Sequence, residues 1–179
     1  MSTAQKLLVQ SSAKAPLPAS FADIDIPEWL FTIADAEYQR CSVSHIAAAS
    51  STNADGKRMS LNIEHVGIMM VQHYVEEIAE KHHCRVVSIT DLFFPEQGRT
   101  TCQVTWELIA SPVTSDTSQL ENVVLIHTTP DLDDFIEKNN MPFEQIKASF
   151  TAATEAHNAE ETPLFANSIA RKAKKEIKR

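Results

Sequence analysis

Histidine and glutamate supply most of the chemistry this sequence could perform, and their spacing narrows where. The stretch LNIEHVGIMMVQHYVEEIAEKHHC, residues 61–84, holds four of the seven histidines. Imidazole titrates near pH 6.5; burial lowers that value and a neighbouring carboxylate raises it. An inward-facing histidine can therefore take or give a proton near neutrality, and it is equally a ligand for zinc or iron. Which histidines face inward depends on the elements that carry them.

Ile68, Val71, Val75 and Ile78 recur at intervals of three and four residues and predict a helix over 67–83. On that helix His73 lies opposite the apolar stripe, beside Glu76, Glu77 and Glu80, while His82 and His83 follow Lys81 at its end, where cations are favoured. These three are expected in solvent. CSVSHIAAASS and RMSLNIEHV flank TNADGK, whose Asp55-Gly56 pair signals a hairpin turn. Strand alternation then puts Cys41, Val43, His45 and Ala47 on one face of the first arm. Met59, Leu61, Ile63 and His65 form the inward set of the second arm, with Ser60, Asn62 and Glu64 turned away. A turn centred on Asp55 opposes His45 and His65 directly. Further on, Phe143, Ile146, Phe150, Ala153 and His157 share one arc of an amphipathic helix, and Glu161 projects from the same side one turn later.

His45, His65, His157 and Glu161 are therefore the candidate reactive set. Three readings of it stay open: neutral core histidines with satisfied nitrogens, a general acid and base in an apolar cavity, or the ligands of a zinc or iron ion. Val43, Ala47, Leu61, Trp106 and Phe150 are the apolar residues expected to line the substrate side, the small Ala47 and Ala49 leaving room beside His45. No G-x-S-x-G, phosphate-loop or dinucleotide motif occurs, and no organic cofactor is indicated. Cys41, Cys84 and Cys102 show no CxxC spacing, which argues against a disulfide framework or zinc ribbon and favours a reducing, cytoplasmic setting.

The supporting elements read as α+β. Residues 1–18 are expected to be a flexible leader, and 19–179 one domain. IPEWLFTI suggests a short strand; CRVVSITDLFF and TTCQVTWELIAS suggest an antiparallel pair joined through PEQGR; VVLIHTT suggests the last strand before a helix at Asp131. Thr162-Pro163 reads as the start of a final helix. The net charge is −8 although residues 171–179 carry six Lys or Arg, so the remaining body is strongly acidic. Such a body repels phosphate backbones, and no apolar run reaches the roughly 18 residues that span a bilayer. Neither a nucleic acid nor a membrane is an expected partner; a hydrophobic small molecule is, and a homodimer stays open.

Antiparallel strands followed by an amphipathic C-terminal helix resemble the helix-grip fold of START and SRPBCC proteins over residues 29–175. That resemblance implies a curved antiparallel sheet around an apolar cavity, packed against a central helix and C-terminal helices. It also implies ligand binding or polyketide-cyclase-like chemistry, with His157 on the closing helix facing the ligand. Asn62, His65 and Val66, followed by Tyr74, Glu76 and Glu77, are in addition similar to stretches of hot-dog acyl-CoA thioesterases, which would place a helix carboxylate next to a thioester. The first resemblance is preferred. The expectation is an enzyme acting on an aromatic or polyketide-like carbonyl compound by histidine acid/base chemistry, of cyclase, dehydratase or hydrolase type, with a non-catalytic carrier as the alternative.

Overall fold

The computed structural model describes residues 5–176. Seven antiparallel strands form one sheet: β1 (Leu7–Leu17), β2 (His45–Thr52), β3 (Arg58–Val66), β4 (Ile68–Glu80), β5 (His83–Phe94), β6 (Gly98–Pro112) and β7 (Ser118–Thr128). Their order is β1-β7-β6-β5-β4-β3-β2, so the sheet is a meander to which the N-terminal strand is added beside the last one. The sheet is curved and does not close. Two short helices, α1 (Ile26–Leu30) and α2 (Asp35–Gln39), link β1 to β2, and α3 (Pro130–Lys138) leads from β7 into the long α4 (Phe143–Glu176). Packing of α4 across the sheet buries Phe165, Ala166, Ile169 and Ala170 beside Trp29, Trp106 and Leu120 in the core. No helix among the described residues is long and apolar enough to cross a membrane.

Four local expectations are overturned, each for an identifiable reason. Residues 67–83 contain no helix, and with it goes the expected central helix, on which the hot-dog alternative depended: Ile68–Glu80 is β4, paired with β3 and β5. Apolar residues stand on both faces of this strand: Ile68 and Val71 lie on opposite sides, and the register shift between Glu76 and Ile78 brings only Val75 and Ile78 to the same one, so the three-to-four spacing does not mark a helical stripe. The supposed leader forms β1 from Leu7 to Leu17, where Leu8, Ala15 and Leu17 are buried. IPEWL is α1, not a strand: the Asp25 side chain accepts from the Glu28 amide and Pro27 occupies the first turn, a helix start in which the apolar run is one buried face. Finally, Thr162-Pro163 does not begin a helix but lies inside α4. Proline there removes one backbone donor, and Thr162 Oγ donates to the Asn158 carbonyl beside the gap. The packed residues on either side keep the helix continuous. Of the basic terminus, residues 177–179 lie outside the described part.

The hairpin between β2 and β3 explains the site. From Ala47 opposite Ile63 to Thr52 opposite Arg58 the pairing is that of a turn centred on Asp55. Between His45 and Ala47 the register shifts by one, and His45 comes to lie opposite Glu64. The extra residue rotates His45 onto the face that carries Ser60, Asn62 and Glu64, all buried, and leaves His65 exposed on the other.

Candidate active site

Four side chains from four places converge under α4. His45 starts β2, Glu64 lies near the end of β3, and His157 and Glu161 sit one turn apart on α4. His45 Nε2 lies 3.1 Å from Glu161 Oε2 and 3.9 Å from Glu64 Oε1. His157 Nε2 lies 3.2 Å from Glu161 Oε2 and 3.8 Å from Glu64 Oε2.

Every other polar atom of the four is engaged. The ring of His45 stacks on Tyr38 from α2, with centroids 3.9 Å apart, and its Nδ1 is 2.8 Å from the Tyr38 carbonyl oxygen. A carbonyl oxygen only accepts, so this nitrogen carries a hydrogen. The Tyr38 hydroxyl donates to Glu64 Oε1, and Gln72 Nε2 donates to Glu64 Oε2 at 3.2 Å. Asn122 Nδ2 donates to Glu161 Oε1 at 2.9 Å while its Oδ1 accepts from Trp106 Nε1 at 2.8 Å. Ser42 Oγ donates to Glu160 Oε2 and lies 3.3 Å from His157 Nδ1. Its single hydrogen being used, Ser42 accepts from His157, which fixes the hydrogen on Nδ1 there as well. His157 Nε2 is buried and completes no hydrogen bond, since Glu161 is close but out of line.

Beside this cluster lies a cavity lined by Glu64, Met70, Tyr74, Trp106, Ile126 and His157, among others. It offers about 40 Å³ to the centres of water molecules, room for about three waters. Its wall is largely apolar, and three of the four cluster side chains, Glu64, His157 and Glu161, supply its ionisable carboxyl and imidazole groups.

The charges of the cluster are unequal. Burial pushes Glu161 up, but the two histidines beside it outweigh that and hold it at about 2. Burial also works against a charged His157, yet the Glu161 carboxylate, with Glu64 and Glu160 behind it, raises it to about 9. Glu64 is raised, first by burial and then by the charge of Glu161. At neutral pH the metal-free cluster thus holds an ionised Glu161 and a charged His157, with Glu64 shifted toward its neutral form. Two carboxyls beside the same pair of histidines are driven in opposite directions, the pattern that separates an acid from a base.

The sequence-derived set is only partly assembled. His45, His157 and Glu161 meet, and Trp106 lines the cavity. His65 does not reach the site: it is exposed, and Glu64 takes its place. Val43 is 93% exposed, because residues 40–44 form the link before β2 and not part of the strand. Ala47 and Leu61 lie on the sheet face opposite Glu64, and Phe150 packs near Phe94 instead of on the cavity wall. Sequence reasoning missed Glu64, Tyr38, Gln72 and Asn122. The alternating Ser60, Asn62, Glu64 was the available signal, a polar row on a strand whose other row is apolar. His82 and His83, expected at a helix end, lie at the β4–β5 turn, His82 stacked on Phe21 and His83 2.5 Å from Glu107. The three thiols are buried and free, and burial pushes each up to about 12, so none is poised as a nucleophile.

No family model and no curated protein matches this sequence. Solved structures do. The chain is similar to the Zhui aromatase/cyclase from Streptomyces sp. R1128, with a TM-score of 0.65, 12% identity and 94% of each chain covered. It is similar to norcoclaurine synthase from Thalictrum flavum, with a TM-score of 0.54, 10% identity and 98% and 99% of the two chains covered. It also matches the di-domain aromatase/cyclase StfQ of steffimycin biosynthesis, with a TM-score of 0.58 and 11% identity, where 94% of this chain covers 53% of that one. The protein has the helix-grip fold of these aromatase/cyclase and synthase structures, as the strands followed by a C-terminal helix implied.

Proposed function

We propose that this protein is an enzyme that activates a slim, apolar carbonyl compound, aromatic or polyketide-like at its reacting end, by proton transfer from the His/Glu cluster. The observation that carries the reading is His157 Nε2: buried, unsatisfied, and set in the polar end of an otherwise apolar cavity. The carbonyl oxygen accepts the His157 proton while Glu161 removes a proton from the adjacent carbon, giving the enol. The two steps support each other, because Glu161 is held weakly basic by the charge of His157 and becomes more basic as that charge leaves. Ring closure or loss of water then proceeds from the enol: protonated Glu161 gives its proton to the new alkoxide or the departing hydroxide, the enol hydroxyl gives its own back to His157 as the carbonyl re-forms, and the cluster recovers its starting state. Proton transfer at carbon next to a carbonyl is the elementary step that cyclase and dehydratase chemistry share. That solved structures of the same fold include aromatase/cyclases and a synthase agrees with this reading.

The size of the cavity limits the substrate. Space for about three waters admits the reacting end of a ligand, and a ring must displace the flexible Met70 side chain to enter. The test follows α-hydrogen exchange of a simple aryl methyl ketone in D2O by NMR. The reading expects exchange above the buffer rate that falls at least 100-fold in His157→Gln, the range for loss of a general acid. Ketone binding without exchange would instead mark a carrier. Exchange that persists unchanged in His157→Gln would refute His157 as the acid and Glu161 as its companion base.

A further inference from the structure

We propose that His45, Glu64, His157 and Glu161 form a binding site for one divalent transition metal ion, zinc by the character of its donors. The deduced hydrogens make the case. His45 gives its Nδ1 hydrogen to the Tyr38 carbonyl and His157 gives its own to Ser42, so in the neutral rings, the forms that bind a metal ion, both Nε2 atoms turn lone pairs toward the same point. Glu161 Oε2 and a Glu64 oxygen meet them there, so four acceptors converge with no protein donor among them. Only added protons or a cation can occupy that point without repulsion. One divalent ion balances two carboxylates, and the ligand atoms of His45, Glu64 and His157 all lie within 4.8 Å of one another.

The spacing suits a tetrahedral centre. Bonds of 2.0–2.1 Å place tetrahedral ligands about 3.3 Å apart. Glu161 Oε2 stands at 3.1 and 3.2 Å from the two nitrogens, while Glu64 faces them with different oxygens, Oε1 3.9 Å from His45 and Oε2 3.8 Å from His157, so its carboxylate must turn and move inward to present one oxygen to both. The outer shell is already complete: a backbone carbonyl orients His45, a serine hydroxyl His157, a phenol and an amide Glu64, and an asparagine Glu161. The second, independent observation is the orphaned His157 Nε2, on a side chain nine-tenths buried and aimed at the cluster. Two imidazoles and two carboxylates are borderline donors, which favours zinc over calcium or magnesium. This inference rests on the proposed function only in taking the cavity as the place where substrate arrives: a bound ion would displace the His157 proton, and a carbonyl oxygen would reach the ion only as a fifth ligand or in place of Glu64, the more distant carboxylate.

The experiment titrates EDTA-stripped, untagged protein with Zn2+ by calorimetry and with Co2+ by visible absorption. Expected are one equivalent per chain, the intense visible bands of tetrahedral Co2+, and a higher melting temperature with Zn2+. Glu64→Gln and His157→Gln, each verified as folded by circular dichroism, should lower Zn2+ affinity at least 10-fold, whereas His65→Gln should not. Absence of a saturable equivalent in the wild type, or affinity that follows His65 and ignores Glu64, overturns the inference. Ketone exchange by the metal-free protein with no Zn2+ binding would end the metal site and leave the enzyme reading standing. A tight Zn2+ site in a protein without any exchange activity, stripped or loaded, would do the reverse.

Discussion

Replacing Glu161 by Gln probes the cluster with almost no change of shape. Gln keeps an oxygen to accept from Asn122 and puts an amide, a donor, toward the histidine nitrogens. What it removes is the charge that holds the His157 proton. In the metal-free protein, the rise of His157 from 6.5 to about 9 corresponds to about 3 kcal/mol of preference for the charged ring. Burial opposes that charge, so in Glu161→Gln the ring should titrate below 6.5, with only Glu64 and Glu160 left to favour it. The stability consequence has a definite window. A raised histidine contributes fully below 6.5 and loses its contribution as pH rises through about 9; a depressed carboxyl contributes fully above 4.5 and loses its contribution as pH falls through about 2. The pair is therefore worth most between 4.5 and 6.5. There the variant should be less stable by about 3 kcal/mol, or about 10 °C in melting temperature for a chain of this length. Above pH 9 the difference should shrink. The assay is imidazole NMR titration of EDTA-treated protein beside thermal unfolding across pH. An unchanged His157 titration in the variant, or a stability difference flat with pH, would refute the assignment of Glu161 as the partner of that ring.

Two further outcomes test the frame around the cluster. Asn122→Ala strips partners from Glu161 Oε1 and the Trp106 indole, both buried, and should cost about 2 to 5 kcal/mol in urea unfolding; a loss under about 1 kcal/mol would show that neither atom depends on it. Glu37, which pairs with Arg171, Arg40 and Ser168 and ties α2 to α4, is opposed by burial but held by these partners at about 2. Its stabilisation is present above 4.5 and disappears as pH falls toward 2, so Glu37→Gln should cost about 1 kcal/mol at pH 7, after solvent screening, and nothing near pH 2.

How far the sequence carried this architecture depends on which side of a strand was taken as the inside. The strands from Cys84 onward and the helix expected at Asp131 were legible, because long β-rich runs and an acidic helix start carry ordinary signals; the helix after Pro142 placed His157 and Glu161 on its buried side, although the break expected at Thr162-Pro163 is absent. The hairpin register was legible too, as far as Ala47. Beyond it the reasoning assumed that the apolar row of a strand faces the core. In β3 that rule inverts: Ser60, Asn62 and Glu64 are buried, while Leu61 and Ile63 are only half-buried on the other face.

Such an inversion is stable only if the buried polar row finds partners, and here each is found on a different element: Tyr38 on α2, Gln72 on β4, His45 across the shifted register. None of these is a sequence neighbour of Glu64, so no local pattern announces them. A fold optimised only for stability would fill that face with apolar side chains, since replacing a buried charged set by hydrophobic residues is often neutral or favourable. Keeping two carboxylates and two imidazoles there, with every outer atom oriented, is a cost that stability alone does not explain. The sequence departed from its own apolar pattern where the site was built. It follows that converting Glu64 to Leu together with His45 to Phe should lower stability, because the Tyr38 hydroxyl and the Gln72 amide lose their acceptor, and any activity or ion binding that survived in the folded variant would place the chemistry elsewhere.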